Sequence, residues 1–277
     1  MRRALPALAV AALAGCASDF APQSSLTGLR TLALVADRPE LAPREDVTIR
    51  PADWVPPATS LASRSFTFCP LSAGAVSGYA CAVPRCEVQL TPSPGDGSVT
   101  VNPYALMAQC LGSGGDLPPG LPDVVQTLFR YRVETSDGAA RETVLQVPQW
   151  TYAAPADPNV NPVILGVDIG GVPAGTGAPL PPLPVGGSLP VRLRIDPASV
   201  QQYVDAAGVT RSETMTGYYY STGGEFANDL ASGTDTTVDL AGTGIPPGQA
   251  SLQVWVVALD LRGGAAVAGP FTVPIGQ

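Results

Sequence analysis

The sequence predicts an all-β protein made of two tandem β-sandwiches, and three observations carry the prediction. Glycine and proline each occur 30 times in 277 residues, and these two strongest breakers of regular structure nearly exclude long helices. Short runs of alternating apolar and polar side chains recur between Pro/Gly turns at the spacing of sandwich strands. The pattern of the first half then restarts beyond residues 153–162, as a degenerate repeat of roughly 120 residues, a normal domain size. With 45% hydrophobic and only 14% charged residues, the chain can bury a core and is not disordered through excess charge.

The N-terminus reads as an address. Arg2 and Arg3 precede an apolar run at residues 4–13 and the small residues Ala14 and Gly15, the layout of a secretory signal and too short for a permanent membrane span. The ending Leu13-Ala14-Gly15-Cys16 resembles the lipobox of bacterial lipoproteins. The resemblance implies that residues 1–15 are removed, that Cys16 carries the lipid, and that the chain's first partner is a membrane. Ala17 and Ser18 follow where an Asp would favour inner-membrane retention, which implies the outer membrane.

The mature chain keeps 13 Arg against 23 Asp plus Glu, a net charge of −10. Nucleic acid is a poor partner for such a surface. All basic residues are Arg, with no His and no Lys. That removes imidazole bases, imidazole metal ligands and Schiff-base lysines, so neither catalytic residues nor a cofactor are expected.

Residues 16–28 form the expected lipidated tether and residues 29–152 the first sandwich. Residues 31–35 and 46–50 are its opening strands; in the second, Val47 and Ile49 point to one face and Asp46, Thr48 and Arg50 to the other. Residues 65–69 repeat the pattern with Phe66 and Phe68 inward and Cys69 opposite. Residues 128–134 and 142–147 make a hairpin around Thr135, Ser136, Asp137 and Gly138. Two short helices are expected: residues 103–110 capped by Asn102, and residues 197–204 capped by Asp196, each with proline first.

Cys69, Cys81, Cys86 and Cys110 remain besides Cys16. An even count on an exported chain reads as two disulfides. Three pairings exist; Cys69–Cys81 with Cys86–Cys110 is preferred because each closes a loop rich in turn formers. Cys69 lies on the face opposite Phe66 and Phe68, so its bridge ties loops outside the core, unlike the core bridge of antibody domains. A metal site lacks a Cys-x-x-Cys pair and any His.

Residues 153–162, with three prolines and no periodicity, read as a linker. Residues 163–277 form the second sandwich: a strand at 163–168, a Pro/Gly-rich loop at 170–187, and a strand at 189–196 with Val191, Leu193 and Ile195 inward. Each half ends in a strand running into an Asp/Gly turn and a last strand, FRYRVETSDG at 129–138 and VWVVALDLRGG at 254–264. The segments LALVADRPELAP at 32–43, FCP at 68–70, GYAC at 78–81, IDPASVQQYV at 195–204 and WVVALDLRGG at 255–264 resemble the tandem immunoglobulin-like lipoproteins of myxobacterial genomes. The likeness spans most of the mature chain and is one of architecture, implying two immunoglobulin-like sandwiches and bringing no catalytic residues.

Other candidates for chemistry are weaker. Gly223-Gly224-Glu225-Phe226 resembles the hairpin motif of diguanylate cyclases but lacks one acidic residue and lies among strands; it reads as a turn. Residues 242–248 have phosphate-loop glycine spacing, but two prolines remove the backbone donors and no helix follows. The acids of the second half (Asp205, Glu213, Glu225, Asp229, Asp235, Asp239 and Asp260) show no contiguous calcium-ligand spacing and read as a solvated surface. Trp255, between two valines, is expected in the core, and Trp54, beside Pro56 and Pro57, on a loop surface. Tyr218, Tyr219 and Tyr220 are consecutive on a strand, which sends Tyr219 to one face and the other two to the opposite face. Such a strand is either central and covered on both sides, or it presents tyrosines that stack on sugar rings.

The expectation is a lipid-anchored, non-enzymatic binding or scaffolding module of the outer membrane, with an envelope protein or a polysaccharide as partner. The alternative is a carbohydrate-binding surface module using Tyr218, Tyr219 and Tyr220.

Overall fold

The computed structural model describes residues 23–112, 115–204 and 208–276; Cys16 and Asp205 lie outside the described residues. The first half folds into seven strands: β1 (Arg30–Ala36), β2 (Val47–Trp54), β3 (Leu61–Cys69), β4 (Val88–Leu90), β5 (Val99–Val101), β6 (Val124–Thr135) and β7 (Ala140–Trp150). They form two antiparallel sheets, β1-β2-β5 and β4-β3-β6-β7. Strands one, two and five therefore face strands three, four, six and seven, an immunoglobulin-like Greek-key arrangement.

Alternation decides which side chains fill the space between the sheets. Val47, Ile49, Phe66, Phe68, Phe129, Tyr131, Val133 and Val147 all point inward and are fully buried. Phe66 packs on Tyr131 with ring centres 4.7 Å apart, and Phe68 on Phe129 at 5.3 Å. Pro148 is tolerated in β7 because that strand is an edge, and its carbonyl still accepts from Leu41 N at 3.0 Å.

The helix α1 (Pro103–Leu111) begins as expected, with Asn102 Oδ1 accepting from Ala105 N at 2.8 Å. Its Met107 reaches the core. The cysteines are joined Cys69–Cys81 and Cys86–Cys110. The first bridge lies on the outer face of its sheet, packed with Leu128; the second ties α1 to the short turn at Pro84–Cys86.

The second half comprises β8 (Ile164–Ile169), β9 (Val172–Pro173), β10 (Leu183–Pro184), β11 (Ser188–Ile195), β12 (Gln202–Val204), β13 (Thr210–Ser212), β14 (Thr216–Ser221), β15 (Glu225–Phe226), β16 (Leu230–Ser232), β17 (Asp235–Ala241), β18 (Ser251–Leu259) and β19 (Ala265–Gly276). Two five-stranded sheets, β15-β17-β11-β8-β9 and β10-β19-β18-β14-β16, form a second sandwich. Strand β10 joins β19 in parallel, so the expected 170–187 loop contributes two short strands. Leu189, Val191, Leu193 and Ile195 face inward from β11 onto Tyr219, Val254 and Val256.

The expected helix at 197–204 is corrected. Only one turn forms, Pro197–Ser199, with Asp196 Oδ1 accepting from Ala198 N at 2.9 Å. Beyond it the backbone bonds run sideways: Glu213 N donates to Gln201 O, Gln201 N donates to Glu213 Oε2, and β12 pairs with β13. Cross-strand partners replace the along-chain bonds a helix would need.

The two sandwiches pack side by side through a third apolar cluster. Leu26, Leu32, Trp255 and Val257 are its buried members, with Trp54, Tyr218 and Tyr220 packed against them. The end of the expected tether belongs to this junction. Leu26 N donates to Ser221 O and Ser221 N to Ser24 O, at 2.8 and 2.9 Å, and Ser24 and Leu26 are buried.

The 153–162 stretch is fastened too. Asn159 donates from its backbone to Glu40 and from its amide to Asp260, at 2.7 and 3.0 Å. The Asn161 amide donates to Ala36 O at 2.7 Å and accepts from Ala265 N at 2.9 Å. One asparagine thus bridges β1 of the first sandwich and β19 of the second.

Candidate functional site

Two concavities lie where the sandwiches meet. The larger, a groove of about 560 Å³, is lined by Leu26, Thr27, Trp54, Pro56, Pro57, Thr222, Pro246, Gln249, Ser251 and Gln253. Trp54 closes β2, and the two prolines after it stiffen the exit from the strand. Thr59 N and Oγ1 both donate to Pro56 O, at 3.0 and 3.1 Å, closing that loop.

On the opposite wall, Thr222 N donates to Gln253 O at 3.0 Å, and Thr222 Oγ1 accepts from Gln253 N at 2.9 Å. Gln249 Nε2 donates to Ser251 O at 2.9 Å. The Trp54 ring meets Trp255 edge-on, ring centres 5.2 Å apart. Its Nε1 is buried and has no hydrogen-bond partner. The lining therefore combines an indole, rigid proline walls, amides and hydroxyls, and it contains no charged residue.

The second cavity, about 360 Å³, is lined by Glu40, Trp150, Asp157, Tyr203 and Arg262 among others. Its buried charges are paired. Arg262 Nη1 donates to Glu213 Oε1 at 2.7 Å, Nη2 lies 3.7 Å from Glu40 Oε2, and the guanidinium stacks on Tyr203 at 4.6 Å. Glu40 Oε1 also accepts from Trp150 Nε1 at 2.6 Å. Asp260 Oδ1 accepts from Arg262 N and Gly264 N, fixing the β18–β19 turn. Glu40, Glu213 and Asp260 are thus held by structural partners around the junction.

A third buried polar group lies in the first sandwich. Asp53 is almost fully buried and accepts from Tyr131 OH, Arg64 Nε and Thr31 Oγ1 at 2.5, 3.1 and 2.9 Å. Burial pushes the Tyr131 hydroxyl far above the usual tyrosine range, with its bond to Asp53 adding to the shift. Asp53 thereby ties β2 to β3 and β6 across the sandwich. The sequence pattern gives no signal for it, since the three partners are scattered along the chain.

The tyrosine triplet lies on β14, with its side chains alternating between the two faces of the sheet. Tyr219 is fully buried in the second core, its OH bonded to Thr236 Oγ1 at 2.7 Å. Tyr218 and Tyr220 point the other way, as alternation requires, and pack partly buried against the junction, Tyr220 lying under Arg30 at 5.4 Å. Trp54 and Trp255 meet at that junction, neither on a loop surface nor inside the second core. Gly224 has φ of 75°, and the glutamate after it opens β15, so Gly223-Gly224 is a turn entering a strand. Among the described residues no three Cys, Asp or Glu side chains gather as a metal site. No described helix is long and apolar enough to cross a membrane.

The chain matches no protein-family profile, and no curated protein matches it. Among solved structures it is similar to the D00-D0 domain of intimin, at 10% identity over 90% of this chain and 99% of that one, TM-score 0.25. It is likewise similar to the fibronectin(III)-like modules of CbhA from Clostridium thermocellum, at 10% identity over 90% and 94%, TM-score 0.27. A DUF3823 family protein from Bacteroides ovatus shares 11% identity over 79% and 93%, TM-score 0.25. The fold assignment rests on the strand order given above.

Proposed function

We propose that this protein is a non-enzymatic binding or scaffolding module, held at the outer membrane by a lipid on Cys16. The single observation that carries the binding half is the junction. Two sandwiches, residues 24–27 and the 153–162 stretch are fastened into one unit, leaving a groove whose walls come from both halves. Concave sites between domains, held rigid before the ligand arrives, are where binding surfaces are built. The sets of buried acids described above are already committed to structural partners, which supports binding over catalysis.

The anchoring half rests on the lipobox. Seven residues lead from Cys16 to Gln23, a reach of at most about 25 Å even fully extended. The module would therefore be held close to the bilayer.

The test is metabolic labelling with a clickable palmitate analogue, followed by fractionation. Label and membrane association are expected in the unaltered chain and lost together in Cys16→Ala. A Cys16→Ala protein that still sediments with membranes overturns the anchor.

A further inference from the structure

Resting on the binding-module reading, we infer that the groove between the sandwiches takes a neutral oligosaccharide. Its volume of about 560 Å³ falls within the range of about 300–1,000 Å³ usual for small-ligand sites. The polar lining consists of Thr27, Thr222, Ser251, Gln249 and Gln253. Each of these side chains can both donate and accept, and so can every sugar hydroxyl. A proline-rich peptide, whose backbone lacks N–H donors, offers such a wall only carbonyl acceptors, and so matches fewer of its groups.

Three groups are waiting for a partner. Trp54 Nε1 is a buried donor with none, beneath the wall of the groove as it stands, and the indole must turn slightly to present it to a ligand. The Gln253 side chain makes no hydrogen bond among the described residues, since only its backbone does. Gln249 has committed Nε2 to Ser251 O, which leaves Oε1 free to accept. The indole of Trp54 adds an apolar surface of the kind on which sugar rings pack.

Charge excludes the acidic alternatives. No Arg lines the groove, and the mature chain carries a net −10. A uronate or phosphorylated sugar would meet repulsion with no cation to offset it. Pro56, Pro57 and Pro246 hold the walls in place, so little ordering is required on binding.

The experiment is calorimetric titration of the mature chain with chitohexaose, cellohexaose, maltohexaose and mannohexaose. Hexagalacturonate and decaproline serve as the anionic and the peptide probe. At least one neutral hexaose is expected to bind and to shift the tryptophan fluorescence. Affinity should then fall at least tenfold in Trp54→Phe, which keeps an aromatic ring but deletes the N–H, and in Gln253→Ala.

Circular dichroism melting checks that both variants stay folded; if Trp54→Phe does not, Gln253→Ala carries the test. The assignment is overturned if no neutral hexaose binds at millimolar concentration, if binding ignores the substitutions in folded variants, or if only the uronate or decaproline binds. A chain that is labelled at Cys16 yet binds no hexaose sinks the glycan site and leaves the anchored module standing. A chain that binds but is unlabelled does the reverse.

Discussion

Arg262 is the residue whose loss should loosen the junction most. It sits in the turn between β18 and β19, with its side chain 23% exposed, against Glu213 at 0% and Glu40 at 11%. At an effective dielectric of about 20, contacts of 2.7 and 3.7 Å correspond to gross attractions of about 6 and 4.5 kcal/mol. Desolvation of the charges offsets most of that sum. The asymmetry matters more. Arg262→Met keeps an apolar stem against Tyr203 but leaves the Glu213 carboxylate buried with Gln201 N as its remaining partner among the described residues. Breaking one side of a buried pair costs about 3–5 kcal/mol. For a chain of this size that corresponds to a fall in Tm of roughly 6–20 °C.

The assay is urea and thermal unfolding followed by circular dichroism and tryptophan fluorescence. Adding Glu213→Gln to Arg262→Met removes the orphaned charge and should restore at least half of the loss. Glu40→Gln alone should cost about 1 kcal/mol, because the amide oxygen still accepts one bond. If Arg262→Met lies within about 1 kcal/mol of the unaltered chain, or if the double variant is no more stable than the single, the fold does not depend on this pair.

Burial is the main cause that raises the Tyr131, Tyr219 and Tyr220 hydroxyls above the ordinary tyrosine value of 10.0. A folded value raised above the unfolded one gives stability that is complete below about pH 10 and is lost as the pH climbs further. Alkaline titration by ultraviolet absorbance should show these tyrosinates appearing together with unfolding; early, independent ionisation of all eight tyrosines would contradict the burial. Replacing Cys86 and Cys110 together by serine opens a bridge with a sequence separation of 24 and should lower stability by about 3 kcal/mol, read by urea midpoint; an unchanged midpoint would show that the loop is held by other contacts. In Gly264→Ala the new Cβ would sit 2.1 Å from Asp260 Oδ2 and 3.1 Å from Val160 O, costing about 1–3 kcal/mol. Gly95→Ala, with nothing within 4 Å, is the matched control and should melt like the parent.

The strands were legible because their signal is local. Val47 with Ile49, Phe66 with Phe68, and Val191, Leu193 with Ile195 alternate with polar neighbours, and a two-residue period assigns each side chain to a face without further information. The Asn102 cap was legible for the same reason, since its bond spans three residues. The 197–204 helix failed because a good start signal cannot outweigh partners elsewhere: Glu213 takes the backbone of Gln201 from across a loop. The tyrosines mark the same boundary. Alternation separated Tyr219 from Tyr218 and Tyr220, but what covers the second face is the other sandwich.

From the sequence alone came the all-β class, the tandem pattern, the exclusion of histidine and lysine chemistry, and the likeness of residues 13–16 to a lipobox. These follow from composition and from patterns spanning a few residues. The groove was decided by tertiary structure alone. Trp54 and Gln253 are separated by most of the chain, and Thr27 lies in what read as a tether. They share a site because Asn161, Arg262 and the Trp54–Trp255 contact set one sandwich against the other. A contact between two faces that are each locally regular leaves no periodic trace in either.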